Sequence, residues 1–116
     1  MPTGTRLKRI EDRVQQELST MLIREVNDPR LKQIFVTGVK IDRELTHANV
    51  YVSAVEGASR SGDILAGLNS ASGFLRRELS ARVELRSFPK LIFHWDPTPE
   101  NADHIEKLLA GLREKK

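Results

Sequence analysis

Two clusters of cations carry the clearest chemistry in this sequence. Residues 6–13 hold Arg6, Lys8, Arg9 and Arg13 against Glu11 and Asp12, and residues 76–90 hold Arg76, Arg77, Arg82, Arg86 and Lys90 against Glu78 and Glu84. A guanidinium grips a phosphate through two parallel N–H bonds, so such clusters suit a phosphate polymer. The total of 19 Lys plus Arg against 16 Asp plus Glu, a net charge of +3, decides nothing by itself. Phosphate binding responds to a local basic stripe rather than to the sum. The acids gather elsewhere, with Asp42, Glu44, Glu56 and Asp63 in the middle and Asp96, Glu100, Asp103 and Glu106 towards the end, so one positive pole is expected.

Little else in the chain points to catalysis. His47, His94 and His104 never fall three or four residues apart, as a helical metal site would need, and read as surface or packing histidines. There is no phosphate-binding glycine loop and no nucleophile elbow. With no cysteine, thiol nucleophiles, disulfides and zinc ribbons are excluded, which suits a reducing, cytoplasmic setting. No cofactor and no small-molecule substrate are expected. No apolar run approaches the roughly 18 residues of a membrane helix, and Met-Pro-Thr-Gly opens without the pattern of a secretory leader, so no membrane partner is expected. Tyr51 and Trp95 offer faces on which bases stack, although a chain with four Phe, one Tyr and one Trp needs most of them for its core.

The elements that must position these residues follow from periodicity. Leu7, Ile10, Val14, Leu18, Met21, Leu22 and Val26 recur at steps of three and four, predicting an amphipathic helix over residues 5–26 that Asp28-Pro29 ends. Residues 34–41 read as a strand with Phe35, Thr37, Val39 and Ile41 on one face and a bulge at Gly38. After a polar turn at 42–46, Ala48, Val50, Val52 and Ala54 alternate with polar residues, giving the second strand of a hairpin. Ile64, Leu65, Leu68, Ala71, Leu75 and Leu79 mark a second helix, capped by Ser61 or Asp63. Its interior holds Gly67, Ser70, Ser72 and Gly73, and a kink is expected at Ala71-Ser72-Gly73, because each helical glycine costs about 1 kcal/mol relative to alanine. Leu91, Phe93 and Trp95 alternate with Ile92 and His94 in a third strand, expected to be central or well covered. A last helix is expected over 98–112, with a basic tail at 113–116. With no repeat, low-complexity tract or linker, residues 1–116 read as one α+β domain and as a monomer, its apolar stripes matched to one core.

A kink built of small residues would expose unpaired amides and a positive helix end to a phosphate backbone. Asn69, Ser72 and Arg76 share one polar face, with Gly73 and Arg77 beside it, so two guanidinium groups would flank those amides. A merely solvated face with a packing-driven bend fits the spacing equally well. On the first helix Arg6, Arg9, Arg13, Gln16, Thr20 and Arg24 keep the same rhythm, and ordinary solubility, with Lys8-Asp12 and Arg13-Glu17 as surface pairs, explains that row slightly better than phosphate binding does.

Taken together, Arg9-Ile10 and Leu18, Asp28-Pro29-Arg30-Leu31, Ala48-x-Val50-Tyr51-Val52-Ser53, Leu75-Arg76 with Leu79, Leu85-Arg86, Pro89-x-Leu91-x-Phe93 and Asp96 resemble the bacterial ribosome-binding factor A family along nearly the whole chain. The resemblance implies a type II KH-like fold, helix-strand-strand-kinked helix-strand-helix, in which a three-stranded mixed sheet is backed by helices. It places the family's Ala-x-Gly kink at Ala71-Ser72-Gly73. No two glycines here stand three apart, so the Gly-x-x-Gly clamp of ordinary KH domains is missing. The resemblance also implies a non-enzymatic factor that binds the free 30S subunit, acts late in its maturation and supports processing of precursor 16S rRNA near its 5' end, including in the cold. The RNA-binding candidates are then Arg6, Lys8, Arg9, Arg13, Asn69, Ala71, Ser72, Gly73, Arg76, Arg77, Arg82 and Arg86. The alternatives are a generic KH-like RNA-binding module and a protein–protein interaction module.

Overall fold

A computed structural model describes residues 4–99. Helix α1 spans Gly4–Arg24, strand β1 Ile34–Ile41, strand β2 His47–Ala54, helix α2 Ser61–Arg82 and strand β3 Lys90–Trp95. β1 and β2 pair antiparallel, and β3 joins the other side of β2 in parallel, so the sheet is mixed and β2 is its centre. A parallel neighbour needs a long crossover, which α2 supplies. The helix expected over 98–112 and the tail at 113–116 lie, apart from Thr98 and Pro99, outside the described residues.

The core lies between the helices and one face of the sheet. Val14, Leu18 and Met21 of α1 and Ile64, Leu68, Leu75 and Leu79 of α2 are fully buried with Ala48, Val50 and Val52 of β2. Burying each such Leu, Ile, Val or Met contributes about 1.5–3 kcal/mol. Glu11 is buried among these apolar positions, where its Oε2 accepts from the Ile41 amide (2.8 Å) and ends β1 on a charge-assisted bond.

Several expectations are corrected. The bulge lies between Val36 and Gly38, but it shifts the phase of β1: Ile34 and Val36 are buried before it and Val39 and Ile41 after it, leaving Phe35 40% exposed. β3 is an edge strand rather than central; Leu91 and Phe93 are buried and Ile92 and His94 half-buried, so one apolar side chain faces away from the helices. Neither Ser61 nor Asp63 caps α2, because a 3-10 turn at Gly57–Arg60 runs directly into it and the Ser61 amide bonds Ala58 O.

In α2 the expected interruption is corrected: α-helical bonding runs continuously through Ala71-Ser72-Gly73. The restart that would bare unpaired amides does not occur. The glycine cost is outweighed by anchors on both sides, Ile64 and Leu68 before and Leu75 and Leu79 after. Gly67 has a different purpose. A Cβ there would meet Leu31 Cδ2 at 3.1 Å and Arg30 Nε at 3.3 Å, so its bareness lets the 3-10 turn Pro29–Leu31 press onto α2. That turn is held by Asp28, whose Oδ1 accepts from the Arg30 amide (2.9 Å) and whose Oδ2 accepts from Arg30 Nη2 (2.8 Å). Arg30 accordingly holds the Asp28 carboxyl below the ordinary range.

Candidate nucleic-acid interface

The second half of α2 turns one face outward, and what surrounds it is basic. Gly73, Arg76, Arg77 and Ser80 line a hollow with Phe88. A second hollow is lined by Glu44, Leu45 and Thr46 of the β1–β2 turn, by Arg86, Ser87, Phe88 and Lys90, and again by Arg76. Shared Arg76 and Phe88 join the two into one concave strip. Its lining holds the cations Arg76, Arg77, Arg86 and Lys90 and one carboxylate, Glu44. Arg77, Arg86 and Lys90 are exposed, and their side chains make no ion pair or hydrogen bond among the described residues.

Local structure fixes the strip. Arg76 Nε and Nη2 donate to Phe88 O at 3.2 and 2.6 Å, tying the segment that carries Arg86 to the helix. Buried Phe88 and Pro89 anchor that segment below. Opposite, the β1–β2 turn is wound on Asp42, whose Oδ1 accepts from the Thr46 and His47 amides (2.8 Å each). These bonds, led by the His47 amide, lower the Asp42 pKa. Gly73 is exposed, and a Cβ there would meet nothing within 4 Å among the described residues, so no packing among them requires a glycine at this position.

The remaining candidates separate. Asn69 is exposed one turn before Gly73 and extends the polar face, whereas half-buried Ala71 packs against the core. Ser72 is half-buried and off the strip. Arg82 turns towards α1, with Glu25 at 2.5 Å and Glu17 and Glu78 at 3.7 Å. The Glu25 bond leads in raising the Arg82 pKa, and Arg82 lowers that of Glu25. Arg13 pairs with Glu17 (3.1 Å) and its Nη2 donates to Arg82 O (3.5 Å); Lys8 pairs with Asp12 (3.1 Å). Arg6 also has an interaction partner, and Arg9 is exposed. None of Arg6, Lys8, Arg9 and Arg13 lines either hollow. Conversely, Thr46, Ser80 and Ser87 join the lining unannounced by spacing, and Lys90 belongs to it beside the basic residues with which it was counted.

On the sheet face away from the helices, the rings of Tyr51 and His94 stack with centroids 5.0 Å apart and planes 23° from parallel. His94 Nε2–H donates to Asn49 Oδ1 (2.8 Å). Among the described residues no group of His, Asp and Glu is placed to hold a metal ion, and no helix is long and apolar enough to cross a membrane.

The sequence matches the family described as Ribosome-binding factor A over residues 6–109. The chain belongs to the ribosome-binding factor A family. A ribosome-binding factor A of Natranaerobius thermophilus is 39% identical over 110 residues, covering 95% of this chain and 84% of that protein. The crystal structure of ribosome-binding factor A from Thermus thermophilus superposes with a TM-score of 0.70 at 26% identity, over 77% of this chain and 93% of that one. A Thermus thermophilus ribosome-binding factor A homology model, fitted into the cryo-EM map of a 30S complex, gives a TM-score of 0.52 at 28% identity, over 70% of this chain and 89% of that one. The α+β, type II KH-like arrangement implied by the sequence resemblance is therefore that of ribosome-binding factor A structures, with helices backing a three-stranded mixed sheet.

Proposed function

We propose that this chain is a cytoplasmic, monomeric, non-enzymatic assembly factor, a single KH-like RNA-binding domain that binds the 30S subunit. In this reading it supports late maturation and processing of precursor 16S rRNA, including in the cold, and holds RNA near the 5' end of that precursor. The observation that carries the reading is the strip of Arg76, Arg77, Arg86 and Lys90 around Gly73, concave, rich in donors and opposed by one acid. Such a surface neutralises phosphates and positions a backbone without reading bases, which fits the missing Gly-x-x-Gly clamp. The Thermus neighbour fitted into a 30S complex supports the choice of partner.

The test is binding of the purified chain to free 30S subunits. Arg77→Glu with Arg86→Glu is the variant of choice, because neither side chain holds the fold together, whereas Arg76 does. Affinity is expected to fall at least thirtyfold, with a shallower dependence on salt. Undiminished affinity at unchanged stability would remove the strip from the interface. In lysates the wild-type chain should sediment with free 30S subunits and be depleted from translating ribosomes.

A further inference from the structure

We propose that the sheet face turned away from the helices is a second RNA site, where a single-stranded base stacks on the Tyr51–His94 pair. The proposal rests on the RNA-binding reading above and extends it to a surface with different chemistry. Alternate burial along β2 and β3 puts Val50, Val52, Leu91 and Phe93 under the helices and Asn49, Tyr51, Ile92 and His94 on the opposite side. Tyr51 and His94 are direct partners in the parallel β2–β3 pairing, so their rings stand side by side, and both are half-buried, which leaves ring surface accessible. The Asn49 bond holds the His94 ring in place, so little side-chain freedom is lost when a base settles on it. Aromatic faces accept any base, so the site would select unpaired RNA rather than a sequence.

Charge favours an RNA occupant over a protein. Lys40, beside Asn49 in the β1–β2 register, and Lys90, at the start of β3, are exposed, and their side chains make no ion pair or hydrogen bond among the described residues. Asp42 and Asp96 keep their charge at the two ends of the face, away from the rings, where their oxygens are committed to the fold: Asp42 accepts from Thr46 and His47, and Asp96 from Thr37 Oγ1 (2.6 Å) and the Thr98 amide (2.9 Å). The surface is continuous with the basic strip. Lys90 lines the second hollow and opens the edge strand, and His94 lies four residues along it, about 13 Å away. A strand of RNA leaving the strip over Lys90 reaches the stacked rings within a few nucleotides.

The test uses the full chain and two probes, a fluorescein-labelled single-stranded RNA decamer and the same decamer with abasic central nucleotides. Wild type should bind the intact decamer about tenfold more tightly than the abasic one. Tyr51→Leu and His94→Leu, each checked for an unchanged melting temperature, should lose that preference while keeping the affinity for the abasic probe. Arg77→Glu should weaken both probes alike. Equal binding of the two probes by wild type would overturn the stacking site and leave the strip standing. An equal loss on both probes in Tyr51→Leu would likewise overturn it, as would a retained preference in that variant. Failure of wild type to bind either probe would overturn the stacking site, whereas the 30S assay above decides the strip separately.

Discussion

On α1, Lys8 lies 3.1 Å from Asp12 and Arg13 lies 3.1 Å from Glu17, whereas Arg77, Arg86 and Lys90 line hollows that contain one carboxylate. Both stretches keep the three-and-four rhythm of a helix face, or follow directly from one, and both are rich in arginine. The difference comes from residues far away in sequence. Arg82 is drawn into a junction with Glu17 of α1 and Glu25 just beyond it, while the turn opposite Arg86 brings Leu45 and Thr46 with Glu44. A basic stripe is therefore a candidate until its acids are located, and only three-dimensional placement locates them. Exposed pairs of this kind add little stability, but they occupy the cation.

The contrast can be broken in four ways. The largest effect is expected from Arg77→Glu with Arg86→Glu, which should cost about 2 kcal/mol or more of 30S binding while moving folding stability by less than about 0.5 kcal/mol in chemical denaturation. Next comes Gly73→Ala. Removing an exposed helical glycine should raise stability by about 1 kcal/mol, and a methyl group in the strip should weaken 30S binding severalfold. A variant that is stabilised and binds as well as wild type would show that no backbone approaches there.

Arg82→Met should produce a smaller change of another kind, a lower melting temperature with 30S affinity within twofold of wild type. Its pH dependence carries the sign. Arg82 lowers the Glu25 pKa from its ordinary 4.5, so the contribution is complete above that value and is lost as the pH falls through the lowered one. Below pH 4.5 the wild-type advantage over Arg82→Met should shrink, which thermal melts across that range would check. Smallest of all, Lys8→Glu with Arg9→Glu on α1 should leave 30S affinity within about twofold. A tenfold loss would return that row to the interface.

Much of the fold was legible because it depends on local pattern. The apolar stripe of α1, the alternation of β2 up to Val52 and the bulge near Gly38 follow from the chain's own spacing, whereas α1 ends at Arg24, short of the expected residue 26, and Asp28-Pro29 instead opens a 3-10 turn. What failed depends on neighbours distant in sequence. Gly67 and Gly73 look alike in the sequence, yet one is pressed by Leu31 and Arg30 and the other faces open space. The continuity of α2 was not legible because the strength of the anchors that flank Gly73 depends on how deeply Leu68, Leu75 and Leu79 are buried by distant elements. Buried Glu11 gave no sign of itself, since its partner is a backbone amide thirty positions on. Type and spacing singled out Arg76, Arg77 and Arg86, which the fold gathers around two adjoining hollows, while Thr46 and Ser87 reach the same surface only through the fold.

Arg76 has a further consequence. Its fork is a hinge pin as well as a charge on the rim, because the Phe88 carbonyl it clasps holds the loop bearing Arg86 in register with the helix. Lysine there would preserve the electrostatics and forfeit the clasp, letting the two sides of the cleft drift apart. The width of the cleft is thus set by one side chain that belongs to the scaffold and to the rim at once.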